Sequence, residues 1–338
     1  MLTETQLDAM LSEPSAALVK DLARLEGDIM ILGAGGKVGP TLSRMAARAV
    51  QAAGHEKKVY AVSRFSDAEI VSSLEKSGVT CLRCDLSDAE QVMRLPSAQN
   101  IVYMVGKKFG TQDCEYETWA SNVLLPSQVL HRFQAARYVV FSTGNVYPMT
   151  QPSAGGCTEE DAAAPVGEYA MSCLGRERLF EYAAHHYGAK VLLYRLNYAI
   201  DLRYGVLCDI GERILSGEPI SLANPVFNCV WQGYANEVAL RALLLADSPA
   251  VRLNVTGPEM ASVRQVAVYM GELLGKKPIF QGEEAKTALL SNSGLCMEKF
   301  GYPTVSLRQM MHMQAEWLLS NGRLLGKPTH FEEKKGDF

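Results

Sequence analysis

No apolar run in this chain of 338 residues approaches the roughly 18 residues that a membrane-spanning helix needs, so no membrane partner is expected. The stretch from Met1 to Arg24 carries Glu4, Asp8, Glu13 and Asp21 and lacks the apolar centre of a secretory signal. Basic charge is scarce as well. With 33 Lys and Arg against 37 Asp and Glu, the net charge is −4, which argues against nucleic acid or an anionic membrane as the main partner. Eight cysteines, at 81, 84, 114, 157, 173, 208, 229 and 296, show no framework spacing. Cys81-x-x-Cys84 has no second such pair and no nearby histidine pair. It also falls in a predicted strand, where side chains at i and i+3 point to opposite faces. Ordinary thiols in a reducing cytoplasm are therefore expected. The adjacent His185 and His186 lie on different faces of a predicted helix, so no metal site is expected either. Internal repeats and low-complexity segments are also absent.

What is present starts with Asp28-Ile-Met-Ile-Leu-Gly-Ala-Gly-Gly-Lys-Val-Gly39. An unalternated apolar run of this kind suits a strand buried on both faces, as in a parallel sheet. Glycines follow at 33, 35, 36 and 39, and a helical pattern runs from Pro40 to Ala53. Glycines at a strand-to-helix turn let the backbone approach a pyrophosphate, which rests on the N–H groups and positive dipole end of the next helix. The order strand, glycine turn, helix therefore points to a nucleotide cofactor. The common G-x-G-x-x-G spacing fails because position 38 is valine; Gly33-x-x-Gly36-x-x-Gly39 fits instead.

Strand-like runs recur at 59–63, 80–84, 101–105, 138–142 and 190–196, with predicted helices at 67–77, 88–94, 116–135 and 167–187. This alternation implies βαβ units and an α/β fold with a doubly wound, Rossmann-type parallel sheet. After Asn197 the rhythm loosens, with helices expected near 209–216, 235–246, 262–275 and 305–320. The expected organisation is a helical extension over 1–26 broken near Pro14, a cofactor domain over 27–200, and a smaller substrate subdomain over 201–330. The polar end, Glu332-Glu-Lys-Lys-Gly-Asp337, reads as a solvated tail.

The second predicted strand ends in Ser63-Arg64, with no carboxylate before Asp67. An acid there would serve the ribose hydroxyls of NAD, whereas a guanidinium suits a 2′-phosphate, so NADP is favoured with NAD kept open.

The Gly33-x-x-Gly36-x-x-Gly39 turn resembles that of the short-chain dehydrogenase/reductase superfamily, in its extended branch of nucleotide-sugar epimerases. Tyr138-Val-Val-Phe-Ser-Thr-Gly-Asn-Val-Tyr-Pro148 is similar to that branch's S-[ST]-x-x-V-Y-G signature, with Pro148 replacing the last glycine. The resemblance implies that Thr143 holds the substrate oxygen at the reacting carbon. It also implies that Tyr169, in Tyr169-Ala-Met-Ser-Cys-Leu-Gly-Arg-Glu177, is the acid/base of the family's Tyr-x-x-x-Lys pair. The cofactor set that it implies includes Gly33, Gly35, Gly36, Lys37, Val38 and Gly39 from the turn, with Ser63 and Arg64. From later segments it adds Asp85, Leu86, Val105, Gly106, Asn122, Ser142, Tyr169, Cys173 and Asn197. Cys229 to Ala239 is similar to the family's V-x-V-D-D-V-A segment, with Asn236-Glu237 for the paired acids and Trp231 and Gln232 as candidate pocket residues.

The lysine of the pair is missing, for position 173 is cysteine. A lysine at i+4 shares a helix face with the tyrosine and favours its ionised form, whereas a thiol brings no positive charge. Two substitutes stand in the sequence: Arg176 at i+7 from Tyr169, a long reach, and Lys107-Lys108 after the fourth strand. Two readings stay open. The first is an epimerase, dehydratase or oxidoreductase acting on a sugar or sugar derivative. The second is a non-catalytic NAD(P)-binding protein, a redox sensor or scaffold. The resemblance also implies a homodimer paired through the helices at 116–135 and 167–187, whose stripes include Trp119, Val123, Leu130, Leu174, Phe180 and Tyr187.

Overall fold

The structure, a computed structural model, describes residues 2–108, 113–334 and 336. Helices α1 (Glu4–Leu11) and α2 (Ala16–Arg24) come first and break around Pro14 as the sequence predicts. The strand β1 (Ile29–Leu32) then leads through the glycine turn into α3 (Gly39–Ala52). The alternation continues with β2 (Val59–Ser63), α4 (Ala68–Glu75), β3 (Thr80–Arg83), α5 (Ala89–Met93) and β4 (Asn100–Tyr103). Next come α6 (Glu115–Trp119), α7 (Leu125–Arg132), β5 (Arg137–Thr143), α8 (Gly167–Tyr187), β6 (Lys190–Leu196) and the short β7 (Ala199–Ile200).

The helix expected over 116–135 is not continuous. A π-helical turn over Ala120–Leu124 separates α6 from α7, and Pro126 sits in the first turn of α7. Such turns gather at functional positions, and this one carries Asn122, which is fully buried.

The remaining elements are α9 (Val206–Ser216), β8 (Pro219–Ser221), β9 (Val226–Phe227), β10 (Val230–Trp231), α10 (Gln232–Arg241), β11 (Val251–Val255), β12 (Ala261–Ser262), α11 (Val263–Leu274), β13 (Ile279–Gln281), α12 (Gly294–Phe300) and α13 (Leu307–Leu319). The main sheet runs β11-β6-β5-β4-β1-β2-β3, and each of its pairings is parallel. Helices cover both faces, which is why all four residues of β1 are buried. Ile29 and Ile31 pack with α2, α3 and α10 on one face, while Met30 and Leu32 pack with α7 and α8 on the other. Strand β1 pairs with β2 on one side and β4 on the other. The order reverses there, and the crevice beyond the carboxyl ends of these strands is where ligands of such sheets bind.

The expected boundary at residue 200 divides the chain in sequence but not in space. Strand β11 returns to pair with β6, and Val238 to Leu243 of the α10 region join the core over β1. A second core gathers α9, α11 and α13, with Leu7 and Leu11 of α1 packed into it. The segment read as a solvated tail is docked instead. Phe331 is fully buried in this second core, and its carbonyl accepts from Asn224 Nδ2 at 2.9 Å. Arg213 pairs with Glu332 at 2.5 Å, and Lys334 Nζ donates to the Thr287 carbonyl at 2.7 Å. The anchor, Phe331, directly precedes the polar segment; Lys335 and Asp337 of that segment lie outside the described residues.

Candidate active site

The glycine turn closes tightly against the ends of β2 and β4. Gly33 has φ +89°, and a Cβ on it would lie 3.1 Å from Val105 and 3.2 Å from the Met104 backbone. A Cβ on Gly35 would sit 2.6 Å from Ser63 Oγ. Only glycine allows the turn to pack this closely against the neighbouring strand ends. Gly39 works differently: it is buried against the Ala34 backbone, lets α3 approach β1 closely, and does not line the cleft.

The outer half of the cleft encloses about 800 Å³. Gly33, Gly35, Gly36, Ser63 and Arg64 form one wall, and Asp85, Leu86, Val105 and Gly106 form another. Hydrogen bonds from Ser87 hold the Asp85 carboxyl below the ordinary carboxylate range, and the positive charge of Arg64 adds to the effect.

The inner half encloses about 260 Å³ and joins the outer half at Met104 and Gly106. Lys37, Val38, Ser142, Thr143, Tyr169 and Asn197 all line it. Strand β5 carries Ser142 and Thr143 to the carboxyl edge, and α8 starts two residues before Tyr169. Ser142 Oγ donates to Glu177 Oε1 at 2.6 Å. Glu177 is gripped by Arg195, Nε to Oε1 at 2.9 Å and Nη2 to Oε2 at 2.7 Å, with both side chains buried. Arg195 also donates to Tyr147 Oη at 2.7 Å, and Tyr147 donates to Asn254 Oδ1 at 2.8 Å. Ser142 is thus a strut tied into a buried polar network. The Asn197 side chain donates to Asn228 Oδ1 at 2.8 Å and so joins the two cores. Beside it Tyr198 takes the left-handed backbone region, φ +45°, in the wall of the cleft.

Asn122 and Cys173 stand behind the wall, not in it. Asn122 Oδ1 accepts from the Lys107 N–H at 2.9 Å, and its Nδ2 donates to the Lys107 carbonyl at 3.0 Å and to Ser172 Oγ at 2.9 Å. It fixes the loop after β4. Cys173 is fully buried, and burial pushes its thiol up. Arg176, in the next turn, donates through Nη1 to the Val105 carbonyl at 2.7 Å and through Nη2 to Cys173 Sγ at 3.3 Å. Of the paired lysines, Lys107 turns out to a salt bridge with Glu117. Lys108 turns inward: its Nζ lies 5.8 Å from the centre of the Tyr169 ring and donates to the Thr329 carbonyl at 3.2 Å.

The electrostatics of this inner half are unusual. Burial raises the Tyr169 phenol well above its ordinary value, with Cys173 adding to the rise; Arg176 and a hydrogen bond with Thr143 pull the other way. Lys108 is lowered to about 8, mainly by burial. Lys37 is lowered to about 7 by burial and then by repulsion from Lys327 and Lys108, and its amine sits 3.2 Å from the centre of the Tyr204 ring.

Several lining residues lay outside the sequence reading. Phe141, Asn145, Tyr204 and Gly205 line the cleft, and so does Thr329, which the docked C-terminal segment delivers from far along the chain. Gln232 reaches the cleft and donates to Thr41 Oγ1 at 3.1 Å, whereas Trp231 is buried in the second core. Asn236 and Glu237 are structural: Asn236 Nδ2 donates to the Leu11 carbonyl at 2.9 Å, and Glu237 accepts from Ser15 at 2.6 Å. Among the described residues no group of three or more His, Cys, Asp or Glu is placed to hold a metal. No helix among them is long and apolar enough to cross a membrane.

A family model described as the NAD dependent epimerase/dehydratase family matches residues 29–200, just over half of the 338 residues. No curated protein sequence matches the chain. Solved structures share the fold at low identity. A UDP-glucose 4-epimerase from Thermotoga maritima, solved with UDP-glucose, is 18% identical with a TM-score of 0.69, over 87% of this chain and 99% of that one. A dTDP-glucose 4,6-dehydratase from Streptomyces venezuelae, solved with NAD and TYD, is 17% identical with a TM-score of 0.74, over 87% and 97%. A UDP-glucuronic acid 4-epimerase from Bacillus cereus, solved with NAD, is 15% identical with a TM-score of 0.69, over 87% and 99%.

Proposed function

The chain belongs to the NAD-dependent epimerase/dehydratase family, and from that premise we propose that it is an NAD(P)-dependent oxidoreductase or epimerase/dehydratase acting on a sugar or sugar derivative. The observation that carries this reading is the convergence of the glycine turn, Thr143 and Tyr169 on one continuous cleft over the carboxyl edge of the sheet. The residues fit a dinucleotide: Gly33, Gly35 and Gly36 line the outer half of the cleft with bare backbone, and the α3 dipole end faces the turn. Arg64 beside Ser63 favours NADP over NAD. A bound nicotinamide would supply the hydride chemistry.

The protein's own part is orientation and proton transfer. Thr143 holds the substrate oxygen, and Tyr169 exchanges the proton on it. An ordinary tyrosine is ionised in only about one molecule in a thousand at pH 7. Burial makes the Tyr169 phenolate rarer still, so Tyr169 is disposed to give a proton to a carbonyl oxygen, the reducing direction. The same observation favours the second reading, a protein that binds NAD(P) without chemistry.

Turnover of a panel of nucleotide sugars with NAD(P)H, compared between wild type and Tyr169→Phe, separates the two. Turnover that disappears in the variant while cofactor affinity stays within a few-fold supports the enzyme. Tight cofactor binding with no turnover in either protein supports the binder, and turnover that survives the substitution removes Tyr169 from the chemistry.

The reading includes a homodimer in the cytoplasm. Leu130 and Phe180 are core residues and cannot contribute to an interface, but Tyr116, Leu124, Met171 and Tyr182 expose apolar surface on the same helices. All eight cysteines are free, which suits a reducing compartment. Light scattering that shows a monomer at micromolar concentration would remove the dimer.

A further inference from the structure

Three cationic side chains from three separate elements line the inner cleft beside Thr143 and Tyr169: Lys37 from the glycine turn, Lys108 from the loop after β4, and Arg176 from α8. Lys327 acts electrostatically on Lys37 from the docked C-terminal segment. We propose that the substrate carries an anionic group, a carboxylate or a phosphate, beside its reacting carbon, and that Lys37 and Lys108 bind it. The inference rests on the oxidoreductase reading above and narrows the substrate class of the same site.

The argument is one of charge and position. Amines held near each other in a poorly hydrated cleft repel, and both lysines are lowered by burial, Lys37 further by its neighbours. An anion between them reverses that penalty through charge-assisted hydrogen bonds. Among the described residues, Asp209 is a carboxylate that acts on both lysines. Its Oδ2 already accepts from Thr329 twice, from N at 2.7 Å and from Oγ1 at 2.5 Å. Asp209 therefore fixes the segment that carries Thr329, and through the Thr329 carbonyl it also places Lys108.

The cofactor pyrophosphate is the other anion to consider. The backbone at Gly35 and Gly36 faces the outer half of the cleft, whereas the Lys37 amine is carried across to Tyr204 in the inner half. Its direction suits a group on the substrate.

The test is calorimetric titration of the full chain, with and without saturating NADP+ or NAD+. Three matched pairs are used: D-glucuronate and D-glucose, glucose 6-phosphate and glucose, UDP-glucuronate and UDP-glucose. In at least one pair the anionic member should bind about tenfold tighter or more. That preference should collapse in Lys37→Met and Lys108→Met and survive in Lys37→Arg and Lys108→Arg, which keep the charge. The proposal is overturned if no pair shows a preference for the anion, including the case in which nothing binds, or if the preference persists in both methionine variants. It is equally overturned if Lys37→Met weakens NADP+ binding about tenfold and leaves the pairs unchanged, since the amine then serves the cofactor. A wild type that binds neither NADP+ nor NAD+ would count against the oxidoreductase reading, while the pairs remain readable in the cofactor-free protein.

Discussion

Arg176 donates to Cys173 Sγ across 3.3 Å from one turn further along α8, so a positive charge lies beneath Tyr169 although position 173 is a cysteine. The guanidinium is anchored on its other side by the Val105 carbonyl at 2.7 Å, and a Cβ on Gly106 would come within 2.7 Å of it. Gly106 is therefore a condition for Arg176 to lie where it does.

Restoring the family pattern with Cys173→Lys should consequently fail as a repair. It would set a second cation against a buried guanidinium. An uncompensated buried charge costs about 3–5 kcal/mol, so the single variant should unfold at clearly lower urea concentration. Adding Arg176→Met should recover most of the loss and raise turnover. Unfolding curves of the single and paired variants decide the matter; a stable single variant would show that the two charges do not meet.

Arg64→Ala should remove most of the preference for NADP(H) over NAD(H). A phosphate contact of this kind is worth about 1.5–3 kcal/mol, tenfold or more in affinity. Dissociation constants for both cofactors in wild type and variant measure it, and equal values in the wild type would sink the assignment.

The Glu177–Arg195 pair is an unusual investment for a buried layer, with side-chain exposures of 0% and 2%. Arg195→Met strands the carboxylate and should cost about 3–5 kcal/mol of stability. Glu177→Leu together with Arg195→Met should cost much less, because no unpaired charge remains. Ser142→Ala removes one hydrogen bond to a charged group, about 1.5–3 kcal/mol. Equilibrium unfolding of the three variants gives the order.

The lowered lysines predict the direction of stability with pH. Folded values of about 7 for Lys37 and about 8 for Lys108 lie below the ordinary 10.5, so over this range the unfolded chain binds more protons. Stability then rises with pH. The rise begins near pH 7 and should be visible to about pH 8.5, below the range where buried thiols such as Cys173, pushed up, reverse the slope. A melting temperature that climbs across this window, and climbs less in Lys37→Met with Lys108→Met, is the expected result; a flat profile in the wild type would contradict it.

Local signals made the cofactor half of this fold readable. Ile29 to Leu32, the glycine turn and the long α8 declare themselves through apolar runs, special backbone needs and helical period. Thr329 and Tyr204 were not readable, since nothing near them in sequence says that long-range docking will bring them to the cleft. Arg176 looked too far from Tyr169 when judged by residue count alone. Long side chains on a helix lean toward its N-terminus, over the preceding turn, and that lean brings the guanidinium to Cys173. The return of β11 to the sheet was hidden for a similar reason, since its partner β6 lies far back in the chain.

The π-helical turn at Ala120–Leu124 behaves as one surplus residue threaded into an otherwise α-helical rod. Deleting a single residue there would let the i→i+4 ladder close through from α6 to α7. Because each α-helical residue advances about 100° around the axis, everything on one side of the deletion would then swing by about that angle relative to the other. Asn122 would lose its hold on both backbone groups of Lys107, and Lys108, the next residue, would lose its fixed aim at Tyr169. One residue of length in this helix sets the bearing of the charge at the inner end of the cleft.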